Sequence, residues 1–286
     1  MRKVYQKYDK SNLIQKIDAI DISRIENTVI TKYNGRVIKT ADVSNRYEVF
    51  DIKSYLKSKI NQIEENFKIS EYHFYVKGGV QSLTLISDPI EINGVEFHKS
   101  FFILNSTDRS RRLSFNAGLY SKAKNYYIVN SVNNIGLSKK HLKGVTQAAE
   151  EASFGLNHET FESQINDIES LVGHRISLSK LKDIVVDDED VQINHRKFDA
   201  FKNNIIHYQS EGRLQLTEDQ VKLLKTPSVD LKINQGDFYL DAFWAFQTYL
   251  RIFSNQDSHV IRKETEKIMS ITQWAIRNKQ LELLGI

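Results

Sequence analysis

Three arginines crowd a short stretch: Arg109, Arg111 and Arg112 follow directly on Asn105, Ser106, Thr107 and Asp108, with Ser110 between them. A guanidinium is a planar fork that binds phosphate oxygens in pairs, and small hydroxyls and backbone N–H groups suit the same ligand. Asp108 would orient one arginine or cap the turn. The flanking apolar runs place the whole segment in a loop between two strands. Downstream come Lys122, Lys124, Tyr126 and Tyr127, then Lys139, Lys140, His141 and Lys143. Cations interleaved with rings suit a single-stranded nucleic acid: the cations track its backbone, and each stacked base contributes about 1–3 kcal/mol. Adjacent residues on a strand point to opposite faces, so only one of Tyr126 and Tyr127 can meet a ligand. Tyr126 is the candidate. The competing reading pairs these cations with the chain's own acids.

The charge is unevenly distributed. The chain has 286 residues and a formal net charge of +4. Residues 106–145 hold eight Lys/Arg against a single acid, Asp108, whereas residues 146–192 hold three against eleven acids. Salt screens charges over about 8 Å, so the local density governs partners more than the total does.

Other chemistries are poorly served. With no Cys, thiolate-ligated zinc, iron–sulfur clusters, thiol catalysis and disulfides all drop out. No GxxxxGK[ST], GxGxxG or GxSxG motif occurs, and no two His share HExxH spacing. The run Asp187 to Asp190 lacks the central Gly and distal Glu of a calcium loop and reads as a linker. Ser106, Asp108 and His98 could be written as a triad, but a triad is defined by geometry, not by nearness in sequence. No cofactor and no metal are expected. The longest apolar run, Ala242 to Phe246, is far short of the ~20 residues that span a bilayer. The N-terminus has basic residues with no apolar stretch behind them, so a cytoplasmic protein without membrane association is expected.

The elements that must position these residues read as α+β. Residues 26–41 form a hairpin about Asn34-Gly35, and residues 51–67 a helix with Ile52, Tyr55, Leu56, Ile60, Ile63 and Phe67 on one face. Between 70 and 133 the pattern alternates, with turns at Gly78-Gly79 and Asn93-Gly94 and a turn or edge position at Pro89. An antiparallel meander of four to six strands results. From Ser138 the period is helical. Phe161, Ile165, Ile168 and Val172 share one face, as do Tyr239, Phe243, Phe246, Leu250 and Phe253, and Ile261 to Ala275 fits a last helix. A β-rich domain over 1–137 packed with helices, followed by a mainly helical region over 138–286, is the expected organisation.

Three stretches resemble a phage- and plasmid-borne family known only as a domain of unknown function, the YafZ/YubP-like group. They are Ser44 to Val49, Phe101 to Leu113, similar to that family's N-S-x-D-x-S segment, and Phe243 to Tyr249 with His259 following. They occur in the family's order and spread over residues 40–262. A Cys-containing stretch common in the family corresponds to Ala123–Asn130, which has no Cys. The resemblance implies residence on a mobile element and an intracellular setting, and it supplies no activity.

The residues point first to a non-enzymatic protein that binds nucleic acid, with single-stranded DNA favoured, in recombination, strand annealing or replication. Arg109, Arg111, Arg112, Lys122, Lys124, Tyr126, Lys139, Lys140 and Lys143 would carry it. The acidic segment could meet the basic one of a neighbouring copy, so a homo-oligomer is expected. The alternative is an anti-defence protein that binds and inhibits a host immunity complex, its segregated charge giving specificity. A metal-dependent nuclease is a third option, but no carboxylate pair is singled out for it.

Overall fold

The computed structural model describes residues 4–108, 110, 113–122, 126–129, 136–151, 158–179, 181–182, 191–231 and 239–253. The fold is α+β, with antiparallel sheets in the N-terminal half. The chain groups into two compact units. The first comprises 1–90, 96–120 and 129–162, the second 91–95, 121–128 and 163–286. The expected boundary at 137/138 falls inside the last segment of the first unit.

The N-terminal elements run β1 (Gln6–Lys7), α1 (Lys10–Asp18), β2 (Ile20–Ile25), β3 (Thr28–Tyr33), β4 (Arg36–Asp42), α2 (Ile52–Asn66), β5 (Ile69–Lys77), β6 (Val80–Ile92), β7 (Val95–Ser106) and β8 (Leu113–Ser121). Then follow β9 (Tyr126–Val129), β10 (Gly136–Lys139) and α3 (Val145–Glu151). The large sheet has the order β1-β5-β6-β7-β8-β10, and β2-β3-β4 form a separate small sheet. Asn34 and Gly35 adopt φ of 51° and 74°, the left-handed pair that a type I′ hairpin demands. Asn93 and Gly94 repeat the device between β6 and β7. Both expected hairpins are therefore present.

Helix α2 begins where Asp51 accepts a hydrogen bond from the Ser54 N–H at 3.1 Å, a cap that satisfies an orphan donor. Its expected apolar face is buried, and Phe67 just beyond it meets Phe101 and Phe161 at 5.1 and 5.2 Å between ring centres. Pro89 lies on an exposed part of β6. The register with β5 ends at Ser87, so its missing N–H removes no bond to that neighbour. The small sheet packs Val29 with Val43 and Tyr47, flanked by Ile22 and Val49.

The Asn105–Asp108 segment departs from expectation. Asn105 and Ser106 complete β7, and both are buried together with Thr107. Apart from Asn105 Oδ1, which has no hydrogen-bond partner, the groups that follow are satisfied inside the protein. Asn105 Nδ2 donates to Gln81 Oε1 at 2.6 Å, and the Thr107 N–H donates to Gly79 O at 2.8 Å. The Thr31 and Thr107 hydroxyls share a hydrogen bond of 2.5 Å. Gly79 is needed at this junction: a Cβ there would stand 2.8 Å from Asp108 Cγ. Residues 105–108 hold the small sheet to the end of β7, and of the four only Asp108 reaches solvent.

Further along lie α4 (His158–Glu169), β11 (Arg175–Ser177), α5 (Val191–Ser210), α6 (Glu218–Lys225), β12 (Tyr239–Asp241) and α7 (Ala242–Phe253). Two helical readings need correction. Val172 lies beyond the end of α4 and is exposed. Tyr239 belongs to β12, paired with Ser177, because Asp241 accepts from the Trp244 N–H at 3.1 Å and so starts α7 only at Ala242. In the second unit Tyr208 packs on Trp244 at 5.1 Å, and the buried Lys202 pairs with Asp199 at 2.8 Å. The linker expected at Asp187–Asp190 and the helix expected at Ile261–Ala275 lie outside the described residues. No described helix is long and apolar enough to cross a membrane.

Candidate nucleic-acid interface

Of the nine basic and aromatic residues expected to bind, Arg109, Arg111, Arg112 and Lys124 lie outside the described residues. Tyr126 opens β9 and Lys139 ends β10. Lys122, Lys140 and Lys143 are all exposed. Lys122 belongs to the second unit; Lys140 and Lys143 belong to the first.

The first unit shows how the two lysines are held. Tyr47 forms an isolated antiparallel bridge with Leu142, and the Lys143 N–H donates to Arg46 O at 3.1 Å. This joins the Ser44–Val49 stretch to residues almost a hundred positions later. The Tyr47 ring lies nearly parallel to the His141 ring, with centres 5.6 Å apart, and its hydroxyl donates to Thr107 O at 3.1 Å. Arg24 clamps the other side of the stretch, donating to Tyr47 O at 2.6 Å and Ser44 O at 3.3 Å. Glu48 accepts from the Gly144 and Thr146 N–H groups at 2.6 and 3.2 Å. It thereby supplies a carboxylate to the start of α3, where the helix dipole favours one.

Three consequences follow for the electrostatics. The hydrogen bond to the Thr146 side chain leads in holding the Glu48 carboxyl below its ordinary range; burial opposes this, and the backbone N–H groups add to it. At Asp108 burial opposes ionisation, but hydrogen bonds from Ser110 and Ser106 and the Lys39 ammonium at 3.5 Å outweigh it and pull the carboxyl down. Both acids of this neighbourhood are thus ionised and engaged. The exposed side chains around the 140–144 turn include Arg46, Lys140 and Lys143, with Leu142 48% exposed among them. His141 is buried with neither ring nitrogen hydrogen-bonded, and desolvation pushes its pKa down to about 4.

The exposed charged side chains Arg46, Lys140 and Lys143 around this turn are all cationic. The His98 ring nitrogens face Ser87 O and Glu96, so among the described residues His98 does not join Ser106 and Asp108. Among the described residues no group of three or more His, Asp or Glu side chains could hold a metal ion. Arg46 was missed in the sequence because its neighbours in space come from a segment far along the chain. The only signal was its place in the Ser44–Val49 stretch. Comparison with protein-family models, with curated proteins and with solved structures gives no match for the chain.

Proposed function

We propose that this chain is a non-enzymatic nucleic-acid-binding protein of a phage or plasmid, acting in the cytoplasm of the host in recombination, strand annealing or replication. The YafZ/YubP-like resemblance suggests the mobile element. A mainly helical C-terminal half and self-association belong to the same proposal. The observation that carries the reading is the exposed trio Arg46, Lys140 and Lys143. It sits on two stretches locked together by Tyr47 and Glu48, and Lys140 and Lys143 are themselves two of the eight Lys/Arg that residues 106–145 carry against one acid. Cations anchored in this way bind phosphates and displace counterions, so affinity must fall with salt.

The test is fluorescence anisotropy with single- and double-stranded oligonucleotides across a salt series. Changing Arg46, Lys140 and Lys143 together to Ala should weaken binding and flatten the log–log salt slope by about 2, taking about 0.7 per phosphate contact on a single strand. Leu142, exposed amid cations, favours a second reading: a docking face for an acidic host defence complex. Stoichiometric retention of a host protein after nuclease treatment, with no oligonucleotide binding, would select it.

A further inference from the structure

The second unit carries an open groove between the end of α5 and helix α6. Its volume is about 330 Å³, and it is lined by Gln209 of α5, Leu216 of the connecting loop, and Glu218, Val221, Lys222 and Lys225 of α6. The four α6 residues recur at spacings of three and four, so a single stripe of that helix faces the groove. Leu224, off the stripe, is buried. A reciprocal cap fixes the start of α6. The Gln220 N–H donates to Thr217 Oγ1 at 3.2 Å, and the Thr217 N–H donates to Gln220 Oε1 at 2.9 Å.

Three chemistries converge there. Gln209 Nε2 donates to Leu216 O at 3.2 Å. A backbone carbonyl only accepts, so this bond fixes which way the amide points. One N–H of Gln209 and its Oε1 are left over, a donor beside an acceptor. Glutamine pairs in this way with N6 and N7 of adenine. Leu216 and Val221, both half-buried, supply apolar surface. Lys222 and Lys225 are exposed, and no described acid pairs with either; an ammonium binds phosphate as a point charge. Glu218 lies seven residues from Lys225, about 10 Å along the helix, so an anion is drawn to the lysine end. Ligand sites span about 300–1,000 Å³, and the groove's volume suits one nucleotide rather than a protein segment.

We propose that this groove binds one adenine nucleotide with an unpaired base. Gln209 reads the base edge, Leu216 and Val221 pack on its apolar surface, and Lys222 and Lys225 hold the phosphate. A free mononucleotide and an unpaired adenine of a strand present the same groups. The trio Arg46, Lys140 and Lys143 belongs to the other unit, so the groove stands or falls independently of it.

The experiment titrates the full chain with AMP in a calorimeter and with labelled oligo(dA) by anisotropy. Wild type should bind AMP, oligo(dA) or both: AMP binding identifies a free nucleotide as the source, and oligo(dA) binding alone identifies a strand. The inosine counterpart, IMP or oligo(dI), sets O6 against Gln209 Oε1 and should bind about five- to hundredfold more weakly. Gln209→Leu should erase that preference. Lys222→Gln with Lys225→Gln should weaken AMP or oligo(dA) by about tenfold or more. Adenosine, which has no phosphate, should bind this variant and wild type alike, a result that misfolding would not give. If the lysine variant binds AMP and oligo(dA) as tightly as wild type, or wild type binds neither, the groove is wrong. A strand affinity lost only in the Arg46/Lys140/Lys143 variant would then leave the nucleic-acid reading standing. AMP bound through the lysines with no strand bound would sink that reading and keep the groove.

Discussion

Lowering the pH should loosen the junction beneath Arg46 and Lys143, and His141 sets the size of the effect. Its imidazole is buried against Tyr47 with no partner for a second proton, and its pKa is about 4 against an ordinary 6.5. Because the folded value is the lower one, the unfolded chain takes up the proton first. The neutral ring's contribution is complete above pH 6.5 and drains away as the pH falls towards 4. With about 1.4 kcal/mol per unit, the loss reaches about 2 kcal/mol at pH 5 and about 3 kcal/mol below pH 4. The carboxylates of Glu48, Asp51 and Asp108 are shifted downward. Their own losses begin only as the pH nears the ordinary carboxylate range, which leaves pH 7 to 5 to histidine. Urea unfolding of wild type and His141→Phe at pH 7 and pH 5 isolates the effect, since Phe keeps a ring on Tyr47 and cannot titrate. The variant should lose about 2 kcal/mol less than wild type on acidification. Equal losses in the two proteins would refute the reasoning.

Other perturbations test the same framework. Gly79→Ala places a methyl 2.8 Å from Asp108 Cγ and should cost about 1–3 kcal/mol in thermal unfolding through forced displacement of the loop. Tyr47→Phe removes the hydroxyl that donates to Thr107 O and should lower stability by about 1 kcal/mol, measured in urea. Glu48→Gln weakens the charge-assisted bonds to Gly144 and Thr146. It should cost about 0.5–1 kcal/mol at neutral pH and accelerate hydrogen exchange at those two amides.

Local signals were legible where the residues that decide a structure lie close in sequence. Asn34-Gly35 and Asn93-Gly94 announced their turns because only a few residue types tolerate the required φ. The Ile52-to-Phe67 spacing announced α2 because its buried face repeats every turn. The Asn105–Asp108 segment misled for the opposite reason. Its hydroxyls and amide look like solvent-facing ligand groups, yet their partners are Gln81, Gly79 and Thr31, which no local pattern connects to them. Tyr239 misled because periodicity alone cannot see that Asp241 caps the helix after it. The bridge from Tyr47 to Leu142 depends on a long-range pairing that composition and spacing leave open. Charge density was visible at once, since it needs only counting.

The central claim is that cations held by the Tyr47–Leu142 junction grip a polyanion without doing chemistry. Its most direct measurement is the affinity of the purified chain for a single-stranded oligonucleotide between low and moderate salt. A steep linear fall of log affinity with log salt, flattened in the Arg46/Lys140/Lys143 variant, is the predicted result. Affinity that stays level with salt, or a variant whose slope matches wild type, would contradict it.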